Sequence, residues 1–133
     1  MVIFGLGYGV QVLADVLWLA DKAVYYWGDI DTHGFAILSQ LRSYWPHTQS
    51  FLMDEETLLP FRDLCVQETD AKRFTGELQY LDESESKIFE TIRDNRIGVN
   101  LRLEQERIDY RYLLEQLCTG GLYRLQDMVR QAK

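Results

Sequence analysis

The apolar positions in the first half of the chain switch between two periods. Val2-Ile3-Phe4 is a short β-prone run ended by Gly5-Leu6-Gly7-Tyr8-Gly9. Val10, Leu13, Val16, Leu17 and Ala20 then recur at helical spacing and predict one amphipathic helix. Ala23-Val24-Tyr25-Tyr26-Trp27 is β-branched and aromatic and is bounded by Gly28, so it predicts a buried strand. Asp29-Ile30-Asp31-Thr32 closes that strand, with Thr32 placed to cap the next helix. Phe35, Leu38, Leu41 and Trp45 repeat at helical spacing until Pro46, and Gln49 to Met53 predicts a third strand ending at Asp54. A β-α-β-α-β order of this kind implies a mainly parallel sheet with covering helices.

The second half reads differently. Asp54 to Leu64 predicts a short helix or turn interrupted by Pro60. Asp82-Glu83-Ser84-Glu85 is an Asp variant of the capping box, opening a helix whose apolar side holds Ile88, Phe89 and Ile92. Ile97, Val99, Leu101 and Leu103 alternate with polar residues and predict an extended segment with one buried face. Glu106 to Leu117 is helical, Gly120-Gly121 breaks it, and Leu122, Leu125 and Val129 mark a last helix. The expected organisation is one α/β domain over residues 1–133, with the α/β part at about 1–54 and a mainly helical part at about 55–133.

Composition narrows the class. A chain of 133 residues that is 47% hydrophobic and 26% charged can bury one core and is too short for two independent domains. No apolar run approaches the ~18 residues of a membrane span, and the N-terminus has no basic region of a signal peptide. Cys65 and Cys118 stand apart without CxxC spacing, which suits buried thiols in a reducing cytoplasm better than a zinc site or a disulfide.

Charge complicates any role on nucleic acid. The net charge is -7, whereas proteins that rely on neutralising phosphates are usually basic. The distribution is uneven: residues 1–86 carry 5 basic and 14 acidic side chains, residues 87–133 carry 9 and 7. The C-terminal arginines are Arg93, Arg96, Arg102, Arg107, Arg111, Arg124 and Arg130. They make either a solvated helix surface with i,i+4 ion pairs or a face for a phosphate backbone. Charge alone does not choose.

The segment that carries chemistry is Gly28-Asp29-Ile30-Asp31. Residues i and i+2 of an extended chain point to the same side, so Asp29 and Asp31 project two carboxylates from the carboxyl end of a predicted parallel strand. Ligand sites of open α/β sheets lie at that end. Two such charges repel unless a cation or proton intervenes, and their oxygens suit Mg²⁺ or Mn²⁺. The plainer reading has one aspartate capping the following helix and the other facing solvent. His33 binds a metal or phosphate, or only bonds locally; Gly34 serves close packing or close approach of a phosphate. The Gly5–Gly9 loop lacks GxGxxG spacing and a P-loop lysine and reads as a tight turn. Tyr25, Tyr26 and Trp27 read as core rather than a base-stacking platform. Glu104 and Glu106, beside arginines, are surface pairs or a further acid.

Three stretches together are distinctive: Tyr26-Trp27-Gly28-Asp29-Ile30-Asp31-Thr32-His33-Gly34-Phe35-Ala36-Ile37-Leu38, then Ser50-Phe51-Leu52-Met53-Asp54, then Arg102-Leu103-Glu104-Gln105-Glu106-Arg107-Ile108. In this order they resemble the C-terminal Toprim-like region of the Wadjet defence subunit JetD, a family similar to the A subunit of type VI topoisomerases. The resemblance spans roughly Val2 to Leu117. It implies a Toprim-like sheet, Mg²⁺ or Mn²⁺ as cofactor, and Asp29 and Asp31 as the metal-holding catalytic DxD pair. It also implies Mg-dependent DNA cleavage alongside SMC-like subunits against plasmid DNA. The family's glutamate lies on a strand expected before Val2, and its DNA-gripping winged helix is also upstream. The chain is therefore expected to be truncated at its N-terminus, with weak metal affinity and little cleavage alone. Two rivals stand beside this reading. One is an interaction module that dimerises through an open sheet edge or its C-terminal helices. The other is a DxD phosphatase, for which Thr32 sits one place too early.

Overall fold

The computed structural model describes residues 2, 3, 7–69 and 73–119. Strands β1 (Val2–Ile3), β2 (Tyr25–Tyr26) and β3 (Gln49–Ser50) form a parallel sheet in that order, with Tyr25 opposite both Val2 and Gln49. Strands β4 (Val66–Gln67) and β5 (Leu101–Arg102) form an antiparallel pair. The architecture is mixed α/β. The parallel part is three two-residue strands, smaller than the sheet the sequence predicts, and the second half contributes strands as well as helices. β3 stops short of Met53 because Leu52 adopts φ 52°, outside the β region.

The first crossover departs from the sequence reading. It is two 3-10 helices, Gly7–Asp15 and Leu17–Asp21, rather than one α-helix. Val10 and Leu19 are fully buried, with Leu13 and Val16 half-buried between them. That spacing of three matches a helix of three residues per turn. Leu17 and Ala20, expected on the buried side, face outward, Leu17 being 78% exposed.

The second crossover follows its pattern. Helix α1 (Thr32–Tyr44) buries Phe35, Leu38 and Leu41 completely, each contributing about 1.5–3 kcal/mol by leaving water. Trp45 closes it and Pro46 prevents its continuation. Its N-cap is Asp31, not Thr32, which is the first helical residue. α1 packs against the 7–15 segment and against helix α3 (Glu83–Arg93).

Asp82 and Glu85 open α3 with the full reciprocal box: Glu85 N donates to Asp82 Oδ1 at 2.8 Å and Asp82 N to Glu85 Oε1 at 2.9 Å. Ile88, Phe89 and Ile92 are buried as expected, Phe89 meeting Phe35 with ring centroids 6.3 Å apart. Helix α2 (Glu55–Leu58) passes into a 3-10 turn, Leu59–Leu64, with Pro60 at its start, where the missing N–H costs nothing. Alternation in 97–103 holds only at Leu101 and Leu103. Asn100 takes φ 52°, and Val99 is 62% exposed. The segment after Glu104 is a 3-10 turn, Gln105–Arg107, then helix α4 (Tyr110–Thr119).

Cys65 is half-buried and Cys118 exposed, so the expectation of two buried thiols is not met. Gly5, Leu6, the Gly120-Gly121 break, the last helix, Arg124 and Arg130 lie outside the described residues. Among the described residues no helix is long and apolar enough to cross a membrane.

Candidate functional site

The site begins with a two-residue β-bridge. Ile30 and Leu103 pair antiparallel, Ile30 N donating to Leu103 O at 2.9 Å and Leu103 N to Ile30 O at 3.1 Å. Both side chains are fully buried. Side chains alternate across an extended chain, so burying Ile30 and Leu103 turns their neighbours Asp29, Asp31, Arg102 and Glu104 to the opposite face. The two aspartates therefore do share a side, as their spacing predicts. What they share it with is Arg102.

Arg102 Nη2 donates to Asp29 Oδ2 at 2.9 Å, and its Nε stands 3.3 Å from Asp31 Oδ2. Glu104 stands 3.7 Å from the same Nη2 and pairs with Arg107 at 3.3 Å. The other oxygen of each aspartate is held by a backbone N–H. Asp29 Oδ1 accepts from Gln105 N at 2.8 Å, and Asp31 Oδ1 accepts from Gly34 N at 2.6 Å, which is the helix cap. Burial is the largest influence on Asp31 and raises its pKa from 3.8 to about 7. The charges of Glu68 and Asp29 add to that rise, while the Gly34 bond and Arg102 oppose it.

Gly34 proves to be a close-packing position. A Cβ there would run into the carbonyl oxygen of Asp29 and lie 3.3 Å from Asp31 Oδ1. Only glycine lets the first turn of α1 fold back onto the strand end that carries both acids.

A cavity of about 410 Å³ opens over this cluster. Asp29, Asp31, His33, Arg102 and Glu106 line it, with a residue that the sequence reading missed, Glu68. Glu68 is 4% exposed and accepts from the Thr32 hydroxyl at 2.8 Å. Arg73 Nε is 3.8 Å from its Oε2, and His33 Nε2 is 3.8 Å from its Oε1, which has no hydrogen-bond partner. Thr32 also accepts from Phe74 N at 2.9 Å. His33 Nδ1 meets the Tyr8 hydroxyl at 2.6 Å, so the histidine bridges the glycine-rich segment and Glu68. Nothing local in Cys65-Val66-Gln67-Glu68-Thr69 marks a functional acid; its placement depends on β4 pairing with β5 some 35 residues on. Tyr25 and Tyr26 are core, as read.

The described arginines mostly answer acids. Arg93 pairs with Glu77 at 3.0 Å and Asp94 at 2.9 Å, and Arg96 with Asp94 at 3.1 Å. These are ion pairs of the expected kind, at spacings other than i,i+4.

Two carboxylate oxygens, Asp29 Oδ2 and Asp31 Oδ2, are aimed at one cationic position. Hard oxygen donors of this type fit Mg²⁺ or Mn²⁺, which take one or two carboxylates and keep several waters. The guanidinium of Arg102 stands between the same oxygens. Among the described residues no group of three or more His, Cys, Asp or Glu side chains is arranged to hold a metal.

A family model described as Wadjet protein JetD, C-terminal, matches residues 1–117. No curated protein matches the chain.

Proposed function

The chain belongs to the family of the C-terminal part of the Wadjet protein JetD, and we propose on that basis that it is the metal-holding portion of a DNA-cleaving subunit. In this reading its three parallel strands belong to a Toprim-like sheet, and Asp29 and Asp31 hold Mg²⁺ or Mn²⁺. DNA and SMC-like subunits are the partners of the intact assembly, in the cytoplasm. The observation that supports it is the convergence of Asp29 Oδ2 and Asp31 Oδ2 on one cation at the carboxyl end of a parallel strand. A bound divalent ion supplies Lewis-acid stabilisation of a phosphodiester under attack. The chain's own residues do the positioning. Gly34 permits the close approach of helix and strand, Gln105 N and Gly34 N fix one oxygen of each aspartate, and the Ile30–Leu103 bridge fixes their direction. With two carboxylates engaged, affinity for the ion is weak.

Titration of the chain with Mg²⁺ or Mn²⁺, followed by NMR, tests the proposal. Signals of Asp29, Asp31, Gly34 and Gln105 are expected to shift or broaden at millimolar metal, and the Asp29→Ala, Asp31→Ala double variant is expected to abolish this. Wild-type signals that stay unmoved overturn it.

One observation favours a second reading, an interaction module without chemistry. Val12, Leu17 and Trp18 are 67%, 78% and 54% exposed on the two consecutive 3-10 segments. Sedimentation would then show a dimer that Leu17→Asp with Trp18→Asp dissolves and that survives loss of both aspartates.

A further inference from the structure

We propose that Arg102 is a built-in competitor for the cation position between Asp29 and Asp31, and that divalent metal binds only as the guanidinium withdraws. This rests on the reading of the two aspartates as the metal-holding pair and adds what regulates their occupancy.

Three observations carry it. The two aspartate oxygens that no backbone N–H holds are the two that face Arg102, Asp29 Oδ2 at 2.9 Å and Asp31 Oδ2 at 3.3 Å. A dication and a guanidinium cannot both occupy that gap, since like charges a few ångströms apart repel strongly in a partly buried site. The hold on Arg102 is also uneven. Its Nη2 makes an aligned bond to Asp29, but its Nε, although buried, makes no hydrogen bond and is left to the ion pair with Asp31. Finally, the guanidinium has somewhere to go. Its side chain is 35% exposed at the cavity, and the Glu104 carboxylate is already 3.7 Å from Nη2. Withdrawal toward Glu104 exchanges one anionic partner for another and leaves Asp29 and Asp31 free to take the ion.

Competition of this kind lowers apparent affinity by the fraction of molecules in which the pair is free. Removing the arginine restores it. The test is isothermal calorimetry of Mn²⁺ binding to the chain and to Arg102→Gln and Arg102→Lys, with Mn²⁺ EPR as a second readout of bound ion. Arg102→Gln is expected to bind Mn²⁺ about tenfold more tightly, the factor for a pair that is free about a tenth of the time. Arg102→Lys keeps a cation in place and is expected to stay near wild type. Bound metal should also raise the thermal midpoint of Arg102→Gln more than that of the wild type, which separates competition from loss of fold. If wild type and Arg102→Gln bind Mn²⁺ equally, the competition is refuted while the aspartate site stands. If Arg102→Gln is folded by its NMR spectrum and binds more weakly, Arg102 supports the ion instead and the inference is overturned. If no variant binds Mn²⁺ at all, the metal reading itself falls.

Discussion

Asp31 gives the sharpest quantitative consequence of the site. Its pKa is raised from 3.8 to about 7 in the folded chain, chiefly by burial. Between those values the folded state holds a proton that the unfolded chain has released, so stability falls as pH rises. The contribution is full below about pH 4, declines by about 1.4 kcal/mol per unit, and is lost above about pH 7. Over the whole window that is on the order of 4 kcal/mol, of which about 3 kcal/mol lies between pH 5 and pH 8. Asp31→Asn isolates the effect, because asparagine caps a helix about as well as aspartate and does not titrate. Urea unfolding of both proteins at pH 5 and pH 8 gives four free energies, and groups that titrate alike in both cancel. The stability of Asp31→Asn relative to wild type should rise by about 3 kcal/mol from pH 5 to pH 8. A flat difference, or one that falls, would mean that Arg102 and the Gly34 N–H outweigh burial and keep Asp31 ionised throughout.

Three further substitutions probe the scaffold around it. Gly34→Ala drives a Cβ into the Asp29 carbonyl and is expected to cost about 1–3 kcal/mol despite alanine's better helix propensity; an unchanged thermal midpoint would contradict the close approach. Thr32→Val keeps the shape but strands the buried Glu68 carboxylate and Phe74 N–H, at about 1–3 kcal/mol for each unmet partner, and Thr32→Ser should recover most of the loss in urea unfolding. Phe35→Ala opens a cavity at a fully buried position between α1 and α3 and should cost about 3–5 kcal/mol by the same measurement, whereas a loss below about 1 kcal/mol would place Phe35 outside the core.

Features set by neighbouring residues were legible before any coordinates. The Phe35-Leu38-Leu41 period, the Asp82/Glu85 box and the same-side projection of Asp29 and Asp31 each need only a few residues of context. The reading failed where two local answers were equally good. Val10, Leu13 and Val16 fit a period of 3.6 or of 3, and only the burial of Leu19 in place of Ala20 decides for 3-10 turns. Asp31 and Thr32 are adjacent and both are good caps. The choice falls to Asp31 because the Thr32 hydroxyl is drawn off by Glu68, a partner 36 positions away. Glu68 itself, and the use of Arg102 out of seven C-terminal arginines, depend on long-range pairing of β4, β5 and the Ile30–Leu103 bridge. No local pattern encodes such register.

That bridge also explains how a mutually repulsive pair of acids is held in place. Asp29 and Asp31 gain nothing from facing each other, and the penalty grows as water is excluded around Asp31. Their direction is instead imposed from the opposite face, where Ile30 and Leu103 are both fully buried. A slip of one residue in this pairing would bring Ile30 out and press a carboxylate into the core, so hydrophobic burial selects the register that exposes the acids to the cavity. The same register fixes Arg102 against them, since it stands directly beside Leu103 on the acid-facing side. The apolar pair thus places anions and counter-cation in one step. Access to the acids can therefore be changed by moving a single arginine side chain while the backbone that aims them stays as it is.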